Sequence, residues 1–132
     1  DFIEVPIRWS DVDRQGHVNN VSLAGYLQEA RILATTSWSP GMRRAGNYLW
    51  VVVRQDIRYR RQVLPTQRSC RVHTALTRLG TSSMTLAGSI ATEEGSALDA
   101  ATVLVCVDPK TGASVPIDDQ TRQALSAYLV TV

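Results

Sequence analysis

The chain gathers Asp11, Asp13, His17, Asn19 and Asn20 into ten residues, directly ahead of an apolar stretch with helical period. Carboxylates, an imidazole and amides so placed can do one kind of chemistry well. A helix N-terminus presents N–H groups without intrahelical acceptors and a partial positive charge, which hold an anion or polarise a carbonyl oxygen. A carboxylate on a loop that folds back, such as Asp13 seven residues before Asn20, can then act on the same carbonyl carbon as base or nucleophile. The same residues have a plainer use: Asp11 and Asp13 can make turn bonds and cap the helix, where Asp and Asn are common. Other catalytic patterns are missing, with no G-x-S-x-G, Walker loop, G-x-G-x-x-G or H-E-x-x-H in the sequence. His17 and His73 are the two imidazoles open to a Ser-His-Asp triad, and His73 falls mid-strand, where a structural role is expected.

These groups need a helix and a scaffold to hold them. Leu23, Tyr26, Leu27, Ala30, Leu33, Ala34 and Trp38 form a broad apolar stripe at helical spacing. Asn19 or Asn20 caps its start, and Pro40-Gly41 stops it. Ala24, Gly25 and Ile32 leave few strongly polar positions, so the helix is expected to be wrapped by other elements. Phe2 to Trp9 alternates as a strand before it. After Arg43-Arg44-Ala45-Gly46 the pattern turns to strands, over Tyr48–Arg60, Gln67–Leu79, Ser82–Thr92 and Ala97–Val107, with Gly88 marking a bulge or a close approach. Short Gly-containing links at Leu79-Gly80-Thr81 and Glu93-Glu94-Gly95-Ser96 predict hairpins, Asp108–Gly112 predicts a turn, and Asp118 caps a short helix ending near Tyr128. One strand, one long helix and at least four antiparallel strands make an α+β fold with the helix against a curling sheet. Such a sheet leaves edges to cover, so self-association is expected.

Composition sets the frame. The 132 residues suit one domain spanning 1–132, with 44% hydrophobic and 20% charged residues, an ordinary globular balance. No stretch nears the ~20 apolar residues of a membrane helix, and the start lacks the layout of a signal peptide. A soluble cytoplasmic protein is expected, with no membrane partner. A net charge of +2 is too small to argue for nucleic acid. All basic residues but Lys110 are arginines, from codon bias or because guanidinium forks suit phosphate. Cys70 and Cys106 lie in apolar or alternating runs without metal-ligand spacing, so reduced core cysteines and no metal are expected.

The run WSDVDRQGHVNNVSLAGYLQEAR resembles the opening of the 4-hydroxybenzoyl-CoA thioesterase family of the hot dog superfamily, in which D-x-D-x-x-G-x-V precedes a long helix carrying Y-L-x-E-A-R. Asp11, Asp13, Gly16, Val18, Tyr26-Leu27, Glu29, Ala30 and Arg31 supply those positions, and His17–Asn20 is similar to the long-chain acyl-CoA thioesterase branch. VVVRQDIRY, RLGTSSMTL and VLVCVDPKTGASVPI extend the likeness over nearly the whole chain. The resemblance implies a hot dog fold of about five or six strands around one long helix, assembled as a homodimer or homotetramer. It further implies an acyl-CoA thioesterase with no cofactor beyond the coenzyme A of its substrate.

By that resemblance the catalytic carboxylate is Asp13, as nucleophile or general base, and the amide at Asn20 polarises the thioester carbonyl. Asp11 is expected to stabilise the loop, His17 to position substrate or water, and Asn19 to bond the loop or substrate. Glu29 is either a second acid or an ion-pair partner of Arg31 or a neighbouring arginine. The arginines Arg54, Arg58, Arg60 and Arg61 are either a solvated face or coenzyme A phosphate ligands, with Arg60 singled out for the substrate. Thr81, Ser82 and Ser83 match a family segment near the pantetheine and nucleotide. An acyl carrier protein donor and a non-catalytic acyl-binding module are the alternatives, and hydratase activity fits less well. Pocket length is expected to depend on which of Tyr26, Leu27, Leu49, Trp50 and Met84 point inward.

Overall fold

The computed structural model describes residues 2–40 and 48–130. Five strands, β1 (Phe2–Pro6), β2 (Leu49–Tyr59), β3 (Ser69–Leu79), β4 (Ser83–Thr92) and β5 (Gly95–Val107), form one antiparallel sheet in the order β1-β3-β4-β5-β2. The long helix α1 (Asn20–Trp38) packs on its β1–β3–β4 side, and a short helix α2 (Asp119–Ser126) closes one end. This is the expected α+β hot dog architecture, a sheet wrapped around a central helix.

Alternation decides which face meets the helix. On β3 Cys70, Val72, Thr74 and Leu76 are buried, and on β4 Met84, Leu86 and Ile90. In register, Val72 lies opposite Ile3 and Ile90, and Ile90 lies opposite Leu98, so successive strands stack their apolar side chains over Leu23, Tyr26, Leu27 and Ala30 of α1. Gly88 is the close approach anticipated above: a Cβ there would stand 3.0 Å from the Leu27 side chain, whereas the register shifts fall elsewhere, at Leu76/Arg78 and Ile90/Ala91. A second cluster under Trp38 joins Leu76, Met84, Leu86, Leu104 and Leu125. Both cysteines are buried and free, and burial pushes the Cys70 thiol up to about 11.

Several boundaries differ from expectation for local reasons. The first strand ends at Pro6, and Trp9–Asp11 instead form one 3-10 turn, with the Asp11 carboxylate accepting from the Arg8 N–H at 3.0 Å. Asn19, not Asn20, is the N-cap of α1; its side chain accepts from the Val21 N–H at 2.7 Å. Asp118 caps α2 by accepting from the Thr121 N–H at 2.7 Å, as its position predicts. The stop at Gly41 and the Arg43–Gly46 segment lie outside the described residues. The helix is also less enclosed than its composition predicts: Val21 and Leu33 are exposed, and the gap between α1 and β2 stays open.

Ile90 is fully buried between strands and helix. Ile90→Ala is expected to cost about 2–5 kcal/mol, read as a lower midpoint in urea with an unchanged slope.

Candidate active site

The loop before α1 is bent back on itself by backbone pairing. Asp13 N–H donates to the His17 carbonyl at 2.8 Å, Asn19 N–H to the Asp11 carbonyl at 2.7 Å, and Val12 bridges Val18. Gly16, at φ +80, takes the left-handed conformation this reversal needs. Val18 is buried and its N–H donates to the Val63 carbonyl at 2.8 Å, which ties the loop to the segment after β2.

The two aspartates have different tasks. Asp11 is buried, and its Oδ2 accepts from the Tyr26 hydroxyl at 2.5 Å and from the Arg8 N–H. Burial alone would raise its pKa, but the Tyr26 and Arg8 bonds, the Arg8 charge and Ser22 outweigh it and hold the carboxyl below its ordinary value. Tyr26, buried against that carboxylate, is pushed well above the usual phenol range. Asp13 is half-buried instead. Its Oδ1 accepts from the Gln15 N–H at 2.9 Å and the His17 N–H at 3.2 Å, while Oδ2 has no partner among the described residues.

Asp13, His17, Asn19 and Asn20 line one cleft of about 480 Å³, together with Gln15, Leu23, Tyr59, Arg60, Arg61 and Gln62. Asn20 is the first helical residue, so its N–H has no acceptor within the helix, and the positive end of the helix dipole faces the same space. The Tyr59 hydroxyl donates to the Asn20 carbonyl at 3.4 Å and joins the end of β2 to this corner. A carboxylate oxygen, an imidazole and an unpaired amide around one cleft can bind a carbonyl group and act on its carbon.

The match to known proteins follows this geometry. The family described as the thioesterase-like superfamily matches residues 7–125. The chain belongs to that superfamily. It is 31% identical over 125 residues to the uncharacterized protein YsmA of Bacillus subtilis (strain 168), covering 94% of this chain and 84% of that protein. Among solved structures it is similar to a thioesterase complexed with coenzyme A and Zn from Thermus thermophilus, at 28% identity and a TM-score of 0.81, covering 96% of this chain and 92% of that one. The PA2801 protein from Pseudomonas aeruginosa is 31% identical with a TM-score of 0.81, covering 94% and 96% of the two chains. Superfamily membership supports acyl-thioester hydrolysis as the general activity. Among the described residues of this thioesterase-like domain, no group of three or more His, Cys, Asp or Glu side chains could hold a metal ion.

Other expected site residues are distributed unevenly. Arg60 lines the cleft and its Nε pairs with the Asp99 carboxylate, which Ser96 and Arg60 together hold below its ordinary pKa. Thr81, Ser82 and Ser83 do not line this cleft. They sit in the β3–β4 hairpin, where the Thr81 carbonyl accepts from Ile117 N–H and Arg122, and the Ser82 carbonyl from Cys106 N–H. Glu29 is exposed and makes no ion pair among the described residues; Arg31 is two residues on, a spacing that does not bring side chains together on a helix. His73 is exposed on β3 against the Phe2 ring, with centroids 5.5 Å apart. Tyr26 escaped sequence reasoning as a functional contact, although a tyrosine within an apolar stripe signals a hydroxyl that needs a partner.

Because the Asp11 pKa is lowered on folding, its contribution to stability is present above the unfolded value of 3.8 and is lost as pH falls through the folded value. Tyr26→Phe is expected to cost about 1.5–3 kcal/mol at neutral pH, with the difference from wild type shrinking in acid. Urea titrations across that pH range read both effects.

Proposed function

We propose that this chain is an acyl-CoA thioesterase, hydrolysing the thioester to a free acid and coenzyme A. One observation carries the reading: Asp13, whose Oδ2 has no partner among the described residues, and Asn20, whose N–H has no acceptor within the helix, line one cleft at the start of α1. The Asn20 N–H and the helix dipole take the charge that develops on the carbonyl oxygen. The Gln15 and His17 amides fix Oδ1 of Asp13, so Oδ2 either attacks the carbonyl carbon or removes a proton from the attacking water. The carbon–sulfur bond then breaks, and coenzyme A leaves as the thiol with a proton taken from water; on the nucleophilic route a water then hydrolyses the acyl–Asp13 anhydride, releasing the free acid and restoring the carboxylate. His17 positions the substrate or the water, and Asn19 keeps the helix start open by capping through Val21.

Arg60, oriented by Asp99 and beside Arg61, gives the cleft a positive rim for coenzyme A phosphates. The coenzyme A held by the Thermus thermophilus relative supports this donor. Thr81, Ser82 and Ser83 reach a pantetheine or nucleotide in this cleft only from another copy of the chain, so a homodimer or homotetramer is part of the proposal. A long β2 edge with exposed Leu49, Val51, Val52 and Val53 supports self-association.

Asp13→Asn is expected to keep the fold and lower kcat by about 10²–10⁴-fold in a thiol-release assay over short, long and aromatic acyl-CoAs. Full turnover in that variant overturns the assignment. Asn20→Pro removes the N–H at a position where helices accept proline, and Asn19, at ψ 140, already has the backbone a proline requires of the residue before it. That variant should lose about 10²–10³-fold in kcat, while Asn20→Ala, which keeps the N–H, retains most of it. Faster cleavage of acyl carrier protein thioesters in direct competition would reassign the donor, and binding without turnover on the whole panel would mark a non-catalytic module. A Val51→Glu/Val53→Glu double variant should sediment as a monomer where wild type does not.

A further inference from the structure

A second hollow, of about 450 Å³, lies between α1 and β2, within the size range of small-molecule sites. Ile32, Met84 and Leu104 give it apolar walls, and Arg31 and Trp50 line it too. Two donors here lack acceptors. Arg31 is half-buried, pairs with no carboxylate among the described residues, and is held below its ordinary pKa by desolvation. The Trp50 Nε1–H is fully buried and has no acceptor among the described residues.

The hollow and the Asp13 cleft are separate spaces with no lining residue in common. Both are bounded by α1 and β2, the cleft by Asn20, Leu23 and Tyr59, and the hollow by Arg31, Thr35 and Leu49–Trp50. Arg31 lies eleven positions after Asn20, about 16 Å along the axis, and long side chains on a helix lean back toward its N-terminus. A substrate with its carbonyl at the Asn20 N–H and its acyl chain laid between α1 and β2 would bring the far end of that chain to Arg31 and Trp50. A methyl end would leave the buried indole N–H unpaired and strip water from the half-buried guanidinium, whereas a carboxylate would pair with that cation.

We propose that this hollow receives the acyl group and that Arg31 and Trp50 select acyl chains carrying a carboxylate at the end far from the thioester. The inference rests on the thioesterase reading of the Asp13 cleft and adds a substrate class to it. Sites built to hydrogen-bond a substrate group discriminate strongly against analogues lacking it.

The test measures kcat/KM by thiol release for coenzyme A monothioesters of dicarboxylic acids, each beside the monocarboxylic acyl-CoA of equal carbon number. Wild type is expected to favour the carboxylated member by at least about tenfold at the best-fitting length. The ratio should collapse toward one in both Arg31→Gln and Trp50→Phe; being internal, it is insensitive to partial loss of folded enzyme. A wild-type ratio near or below one overturns the proposal, as does a ratio that survives both substitutions. If a second copy of the chain fills the hollow instead, the wild-type ratio stays near one and Arg31→Glu weakens self-association on sedimentation, which also overturns it. Failure to cleave any thioester, plain or carboxylated, instead removes the thioesterase reading beneath it.

Discussion

The candidate site depends on one buried bond, between the carboxylate of Asp11 and the hydroxyl of Tyr26, two turns into α1. It joins the loop to the helix that follows it. The Asp11 carbonyl receives the Asn19 N–H, so the same residue sets where the helix begins. With the helix start and the loop fixed against each other, Asp13 and the Asn20 N–H border the same cleft. A buried carboxylate without such partners would be costly, and here its two donors are a helix side chain and a backbone amide of the loop.

The fold leaves its opening where the chemistry needs one. The sheet covers α1 along β1, β3 and β4, where alternating apolar residues meet the helix stripe. β2 pairs with β5 along its length but leaves a gap beside α1. The hollow occupies that gap and the cleft borders both elements at the helix start, so the least covered side of the helix is also the side that carries its unpaired donors.

Much of this was legible in the residues. The helical stripe from Leu23 to Trp38 and the alternation of β3 and β4 each match the observed elements, because burial on one face imposes a period that side-chain type records. Asp118 was readable as a cap for the same local reason. The end of β1 was not: Trp9–Asp11 turn because the Asp11 carboxylate bonds the Arg8 N–H, a local competitor that strand alternation does not reveal. Tyr26 read as core, and it is core, but the destination of its hydroxyl was a tertiary fact.

The sequence alone determined that a carboxylate and an unpaired helix N-terminus would lie close together, since seven residues separate Asp13 from Asn20 and a glycine at Gly16 permits the reversal. It also determined the helix and the inward faces of β3 and β4, which follow from periods of 3.6 and two in side-chain polarity. Only the tertiary structure decided that Arg60 would border that cleft while Thr81–Ser83 would not, and that Arg31 and Trp50 would share a hollow without partners. Residues far apart in the chain meet through strand order and register, and those are chosen by the packing of the whole sheet on the helix rather than by any local pattern.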